Sequence, residues 1–140
     1  MNFRLFSHRH KLYTNSPLWP SNQRTWSEWS VTTDGQILES VFHDEGIISC
    51  QHHDKRNFSV EPWTGLLDIN GKKIYRGDIL GAKRGAYNNE IDSQYSAEVI
   101  WQDAGFCTKD SRDVMWLNDD ISIWKTVFVK GNIHNVEYID

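Results

Sequence analysis

The stretch "PWTGLLDINGKKIYRGDIL", Pro62 to Leu80, decides how this chain folds. Its middle holds Asn70-Gly71, the strongest short-range signal for a β-hairpin, because a type I′ turn needs positive φ at both central residues. Counting outward from that turn pairs Ile69 with Lys72, Asp68 with Lys73, Leu67 with Ile74 and Leu66 with Tyr75. Asp68 opposite Lys73 sets opposite charges across the pair, worth about 0.2–1 kcal/mol. Arg76-Gly77-Asp78 predicts a tight reversal, after which Ile79-Leu80 opens a new strand.

The same grammar extends on both sides. Phe3 to Phe6 alternates, with Phe3 and Leu5 on one side and Arg4 and Phe6 on the other, and Leu12-Tyr13 reads as its return strand. Pro17 and Pro20 around Leu18-Trp19 mark a loop. Asp34-Gly35, between "WSVTT" and "QILESVF", predicts a second hairpin with a primed turn. Ile47 to Cys50 is a short apolar run, "QHHDKRN" a polar turn, and Phe58 to Val60 extended. On the C-terminal side, Lys83 to Ser96 reads as an exposed polar loop and "AEVIW", Ala97 to Trp101, as a strand. "QDAG" turns the chain into Phe106 to Thr108. Val114 to Leu117 is either a strand or a helical turn, and "ISIWKTVFVKGNI" is a β-branched run broken by Gly131. No window carries an apolar stripe of period 3.6 over three turns. Many short strands with regular turn signals predict a mainly β barrel or sandwich. The pattern becomes more regular near Val60, which predicts an N-terminal β-rich segment over 1–60 and a barrel over 61–140, or one integrated domain over 1–140.

The chain has 140 residues, enough for one domain, with 39% hydrophobic and 13% aromatic residues. Seven tryptophans, six phenylalanines and five tyrosines supply the apolar area that a low aliphatic content does not. The formal charge of −4 opposes broad electrostatic attraction to nucleic acid. No apolar run suits a signal peptide, and none approaches the roughly 20 residues that span a bilayer. Two cysteines, Cys50 and Cys107, are then expected as reduced thiols in a cytoplasmic setting.

Trp26-Ser-Glu-Trp-Ser30 has the form of the WSxWS signature of cytokine receptor domains. A receptor sandwich needs several strands before that element, and 25 residues precede Trp26 here. Trp26 and Trp29 are read as packing residues of a strand and the pentapeptide as coincidence.

Trp63-Thr64-Gly65-Leu66, Asp68, Asn70-Gly71 and Ile74-Tyr75 followed by Gly77-Asp78-Ile79 resemble the YopX family pattern "YTGLxDxNGxxIYEGDIV". Phe3-Arg4 with Lys11-Leu12-Tyr13 is similar to that family's opening, Glu98 to Trp101 with Gly105-Phe106 to its middle, and Val129 to Asn135 to its close, "VIGNIYEN". Trp63 stands where Tyr or Phe is usual, Arg76 replaces an acidic residue, and Phe6-Ser7 replaces a Trp-Asp pair. The resemblance implies a mainly β protein with a small SH3-type barrel, encoded by a phage or prophage. It brings no catalytic residues and no activity. The motif residues are read as turn and core chemistry: each glycine answers a backbone need, and Asp78 is placed to bond nearby amides.

Catalytic constellations are missing from the sequence: no phosphate loop, no nucleophile elbow and no HExxH. Asp44-Glu45 and Asp119-Asp120 are adjacent pairs whose side chains diverge on a strand. Cys50, His52, His53, Cys107, His8 and His10 fit no zinc spacing, so neither metal nor cofactor is expected. The leading expectation is a non-enzymatic module that works through protein–protein contacts, with Trp19, Trp26, Trp29 and Trp116 as candidate anchors and a homo-oligomer as one form of it. The alternative is a nucleic-acid-binding accessory protein using Lys83, Arg84 and Tyr87, or Arg4, Arg9 and Lys11 beside Tyr13.

Overall fold

Val, Ile, Thr and aromatic residues crowd the chain's extended segments, and the fold they build is mainly β. The computed structural model describes residues 2–20, 24–83, 91–102, 104–109, 114–116 and 127–140. Among them there is no α-helix, only a 3-10 turn at Lys55–Asn57 whose leading Asp54 accepts from the Arg56 N–H at 2.9 Å. No helix here is long and apolar enough to cross a membrane.

The strands are β1 (Phe3–Ser7), β2 (Leu12–Tyr13), β3 (Thr25–Val31), β4 (Ile37–His43), β5 (Gly46–His53), β6 (Phe58–Leu67), β7 (Lys73–Tyr75), β8 (Asp78–Lys83), β9 (Ile91–Gln102), β10 (Gly105–Lys109), β11 (Val114–Trp116) and β12 (Val127–Asn132). They form a four-stranded sheet β2-β1-β6-β7, a three-stranded sheet β3-β4-β5 and a five-stranded sheet β11-β10-β9-β8-β12. The chain divides into two units, Leu5–Val60 and, for the other, Glu61–Asp140 with Met1–Arg4. The boundary therefore falls inside β1 and β6, and the first residues group with the C-terminal half.

In the N-terminal unit, β1 and β2 pair as expected, Phe6 with Tyr13 and Ser7 with Leu12. Leu5, Phe6, Tyr13, Trp29 and Ile37 are buried. Gln51 to His53 continue β5 rather than forming a turn, so the polar turn shrinks to residues 54–57. In the C-terminal unit Ile74, Leu80 and Val99 form a sealed cluster, with Leu66, Tyr95, Phe106 and Val129 against it. β9 begins at Ile91, so the expected loop over Lys83 to Ser96 is strand at both ends, and 84–90 lie outside the described residues. Val114 to Trp116 is a strand, paired with β10 through Cys107 and Trp116.

The Asn70-Gly71 hairpin exists, but its turn and register differ from the expectation. Gly71 has φ 77°, whereas Asn70 is not among the residues with positive φ, so the turn is not type I′. The Gly71 N–H donates to the Asp68 carbonyl at 3.0 Å, and the Asp68 N–H to the Lys72 carbonyl at 2.8 Å. That is a type I turn closed by a left-handed glycine, a three-residue loop. The strands then pair Leu67 with Lys73 and Trp63 with Tyr75, across a register shift. The expected Asp68–Lys73 charge pair does not form. Asp68 is buried, and its Oδ1 accepts the N–H groups of Asn70 and Lys72, both at 2.8 Å. Lys73 instead lies over the Trp63 ring, 5.0 Å from its centroid. The Asp34-Gly35 turn departs from the primed geometry in the same way, with positive φ at Gly35 alone.

Candidate functional site

Two places concentrate chemistry, one in each unit. In the C-terminal unit, three of the four separated stretches that carry the family resemblance meet around Arg4. β1 supplies Arg4, only 2% exposed. Its Nε donates to Glu61 Oε1 at 2.7 Å, and its terminal nitrogen lies 2.7 Å from Asp78 Oδ1. The guanidinium also sits over the rings of Tyr75 and Tyr138, 4.8 and 4.9 Å from their centroids. Beyond Glu61, its Oε2 lies 2.6 Å from His134 Nε2. Beyond Asp78, its Oδ2 accepts the Tyr75 N–H at 2.8 Å. Tyr75 and Tyr138 both donate their hydroxyls to Asp140, at 2.8 and 3.2 Å.

Local sequence explains the placement. Gly77, at φ 88°, lets the chain reverse between Tyr75 and Asp78. A Cβ there would also sit 3.0 Å from Glu61 Oε2, so the reversal and the close approach both require glycine. The Arg-Gly-Asp tripeptide is thus turn chemistry with its aspartate buried. Burial pushes the Asp78 carboxyl above the usual carboxylate range, against the opposing pull of Arg4. Burial, then the bonds with Tyr138 and Asp140, pushes the Tyr75 phenol far above its ordinary value. Burial raises Tyr138 as well.

Beside this network lies a polar recess of about 300 Å³, reached by Arg4, Asp78, Tyr138, Lys130, Asn132 and Asn135. Two carboxylates and two ring faces already enclose Arg4, so the arrangement ties the first strand to the C-terminal segment. Arg4 is therefore not part of a basic surface with Arg9 and Lys11, and Tyr13, 1% exposed, offers no stacking platform.

The N-terminal unit presents the opposite: an open apolar row on one face of β3-β4-β5. Trp26 pairs with Phe42, and Phe42 with Ile47, so the three stand side by side across the sheet. The Trp26 and Phe42 rings stack at 5.8 Å and 13°. Trp26 is 46% exposed, and Ile47 and its neighbour Ile48 are 58% exposed.

Of the residues singled out in the sequence, Trp26 is the one this row contains. Trp29, three residues on, points to the other face and is buried, tilted on Phe58 and His53 and edge-on to half-buried Trp19. That packing removes Trp29 as an anchor. Lys83 ends β8, half-buried. Arg84 and Tyr87 lie outside the described residues, and Trp116 stands on β11. Sequence reading missed Glu61, Phe42, Ile47 and Ile48, whose roles depend on strand partners. It also missed Trp101, 52% exposed and edge-on to Phe106 at 4.8 Å. Cys50 is exposed and Cys107 buried. Among the described residues, no three His, Cys, Asp or Glu side chains are grouped to hold a metal.

The convergence of residues near both ends on one network asks whether a known family has this pattern throughout. A family model described as "YopX protein" matches residues 2–137. The chain belongs to the YopX family. Two crystal structures share the fold: protein yopX from Bacillus subtilis, 17% identical with a TM-score of 0.56, and a protein from Enterococcus faecalis, 20% identical with a TM-score of 0.56. The first match covers 96% of this chain and 94% of the other, and the second 96% and 93%. No curated protein matches the chain. The fold relation thus takes in both units, and Arg4, Tyr75, Asp78 and His134 of the network belong to the stretches that carry the YopX pattern.

Proposed function

We propose that this YopX-family protein is a non-enzymatic interaction module that binds a protein partner through the Trp26–Phe42–Ile47 face. The carrying observation is the exposed row itself. A stacked tryptophan and phenylalanine flanked by two exposed isoleucines is the composition that anchors protein interfaces. Monomer surfaces seldom leave such side chains contiguous without a use for them. The enclosed Arg4 network supports the non-enzymatic part, since its charged groups are committed to one another. We read the five-stranded sheet of the C-terminal unit as an SH3-type barrel, the protein as a phage or prophage product, and its setting as the host cytoplasm. The exposed thiol of Cys50 suits a reducing compartment.

The test is recovery of partners from host lysate by the wild-type protein and by a Trp26→Ser, Ile47→Ser variant. Each is run with nuclease and at high salt. A partner that resists both treatments and is lost with the variant supports the reading. Recovery of nucleic acid that vanishes at high salt, unchanged in the variant, overturns it, because apolar anchors do not share the salt dependence of phosphate contacts.

A further inference from the structure

The same sheet has an edge as well as a face, and the edge carries its own information. β5 is a terminal strand of β3-β4-β5, and over Gly46–His53 it contains no Lys, Arg, Asp, Glu or Pro. Natural edge strands are ordinarily blunted by charge, proline, a bulge or shortness; β5 has one irregularity, at Ile48, and residues 49–53 pair regularly with β4. β5 is eight residues long, and Gly46, Ile47, Ile48, Cys50, Gln51 and His52 are exposed. Among the described residues its backbone bonds reach β4 and no other segment. The opposite edge, β3, has Glu28 at its midpoint, so two copies of β3 paired antiparallel would face like charges directly.

The charges that β5 lacks stand at its two ends. Asp44-Glu45 precede it and Lys55-Arg56 follow it, all four exposed. Asp54, held down to about 2 by its bonds to Arg56, keeps that arginine at 2.6 Å. That pair leaves Lys55 as the net charge of the basic end, and an edge acidic at one end and basic at the other is self-complementary only when antiparallel. A parallel copy would set acid beside acid.

We propose that β5 is a self-pairing edge, at which a second copy of this chain adds its own β5 antiparallel across a twofold axis to make a six-stranded sheet. The ends agree with one register. Pairing centred on Cys50 brings the turn that holds Asp44-Glu45 beside the 3-10 turn that holds Lys55-Arg56 of the second copy, and sets Cys50 near Cys50 of that copy, by the axis. A twofold pairing closes on itself, so it yields a dimer and no fibre. The inference concerns the edge and holds whether or not another protein occupies the Trp26 face.

Sedimentation equilibrium and thiol cross-linking test it together. The wild-type protein is expected to be a dimer at tens of micromolar, and a short bismaleimide is expected to join two chains. Cys50→Ser abolishes that product, because Cys107 is buried. Glu45→Lys replaces two attractions with two repulsions and is expected to weaken the dimer by about tenfold at low salt. Glu45→Lys with Lys55→Glu restores it. These positions are exposed, and circular dichroism checks that each variant is folded. A monomer at the highest soluble concentration overturns the proposal. So does a dimer that fails to cross-link through Cys50, or one indifferent to the charge reversal.

Discussion

The Asp34-Gly35 and Asn70-Gly71 hairpins are turned on one plan and held in two different ways. At Thr32–Gln36 the Thr32 N–H donates to the Gln36 carbonyl at 2.9 Å, and the Gly35 N–H to the Thr32 carbonyl at 2.9 Å. Thr32 Oγ1 accepts the Gln36 N–H at 3.0 Å. At Asp68–Lys72 the same three bonds recur, with Asp68 Oδ1 in the place of the hydroxyl. The difference lies in what the first residue does next. Thr32 also donates to Asp34, and every bond of its side chain stays within the turn. Asp68 extends Oδ2 to the Val129 N–H, 2.9 Å away and 61 residues on, while the Ile69 N–H reaches the Val127 carbonyl at 3.0 Å. One hairpin is a local reversal. The other is a local reversal that also holds a distant strand.

Removing the carboxylate should break the comparison most severely. Asp68→Ala strips acceptors from the amides of Asn70, Lys72 and Val129 together, and we expect a loss of about 3–5 kcal/mol in denaturant unfolding. A loss no larger than that of Thr32→Ala would mean that the long-range bond contributes nothing. Base titration sharpens the contrast from another side, because Tyr75 and Tyr138 belong to the unit that holds Asp68. Their phenols are raised in the folded state, so their contribution is full below the ordinary value near 10 and is lost as pH rises beyond it. For Tyr75, whose phenol is raised far, the expected loss is about 1.4 kcal/mol by one pH unit above that value. Tyr75→Phe should flatten the pH dependence of thermal unfolding, and a slope unchanged by that substitution would refute the assignment.

The two glycines test the shared part of the plan. Gly35→Ala and Gly71→Ala each force a side chain into left-handed backbone, and each should cost about 1–2 kcal/mol. Their equality is the point: a difference larger than about 1 kcal/mol would show that the turns are not alike. Smallest of all is Thr32→Ala, at about 1 kcal/mol, since water can replace an exposed hydroxyl.

Much of this was legible in the residues. Both hairpins were announced by Asp-Gly and Asn-Gly, the first strand pair by Leu12-Tyr13, and the family by the Trp63 to Ile79 pattern. The turn type was misread for a physical reason. Asn-Gly suits a two-residue loop only when the flanking residues pair directly, and the Asp68 carboxylate captures the Lys72 amide first. That bond lengthens the loop and moves Lys73 from Asp68 to Leu67. Glu61 carried no signal, because its importance comes from Arg4, 57 residues earlier.

By itself the sequence determined that the chain would be strands and turns, since period-two runs of aromatic and β-branched residues offer no helical stripe to bury. It also determined that Trp26 and Trp29, an odd number of residues apart on one strand, would face opposite ways. Which of the two would be buried was decided only in three dimensions, by Trp19, His53 and Phe58 closing over Trp29 while Phe42 and Ile47 lined up beside Trp26. The same holds for Arg4: a lone cation near the N-terminus became a closed network because folding brought two carboxylates and two aromatic faces to it. Local conformation follows from neighbours in the chain, whereas burial and charge pairing follow from neighbours in space.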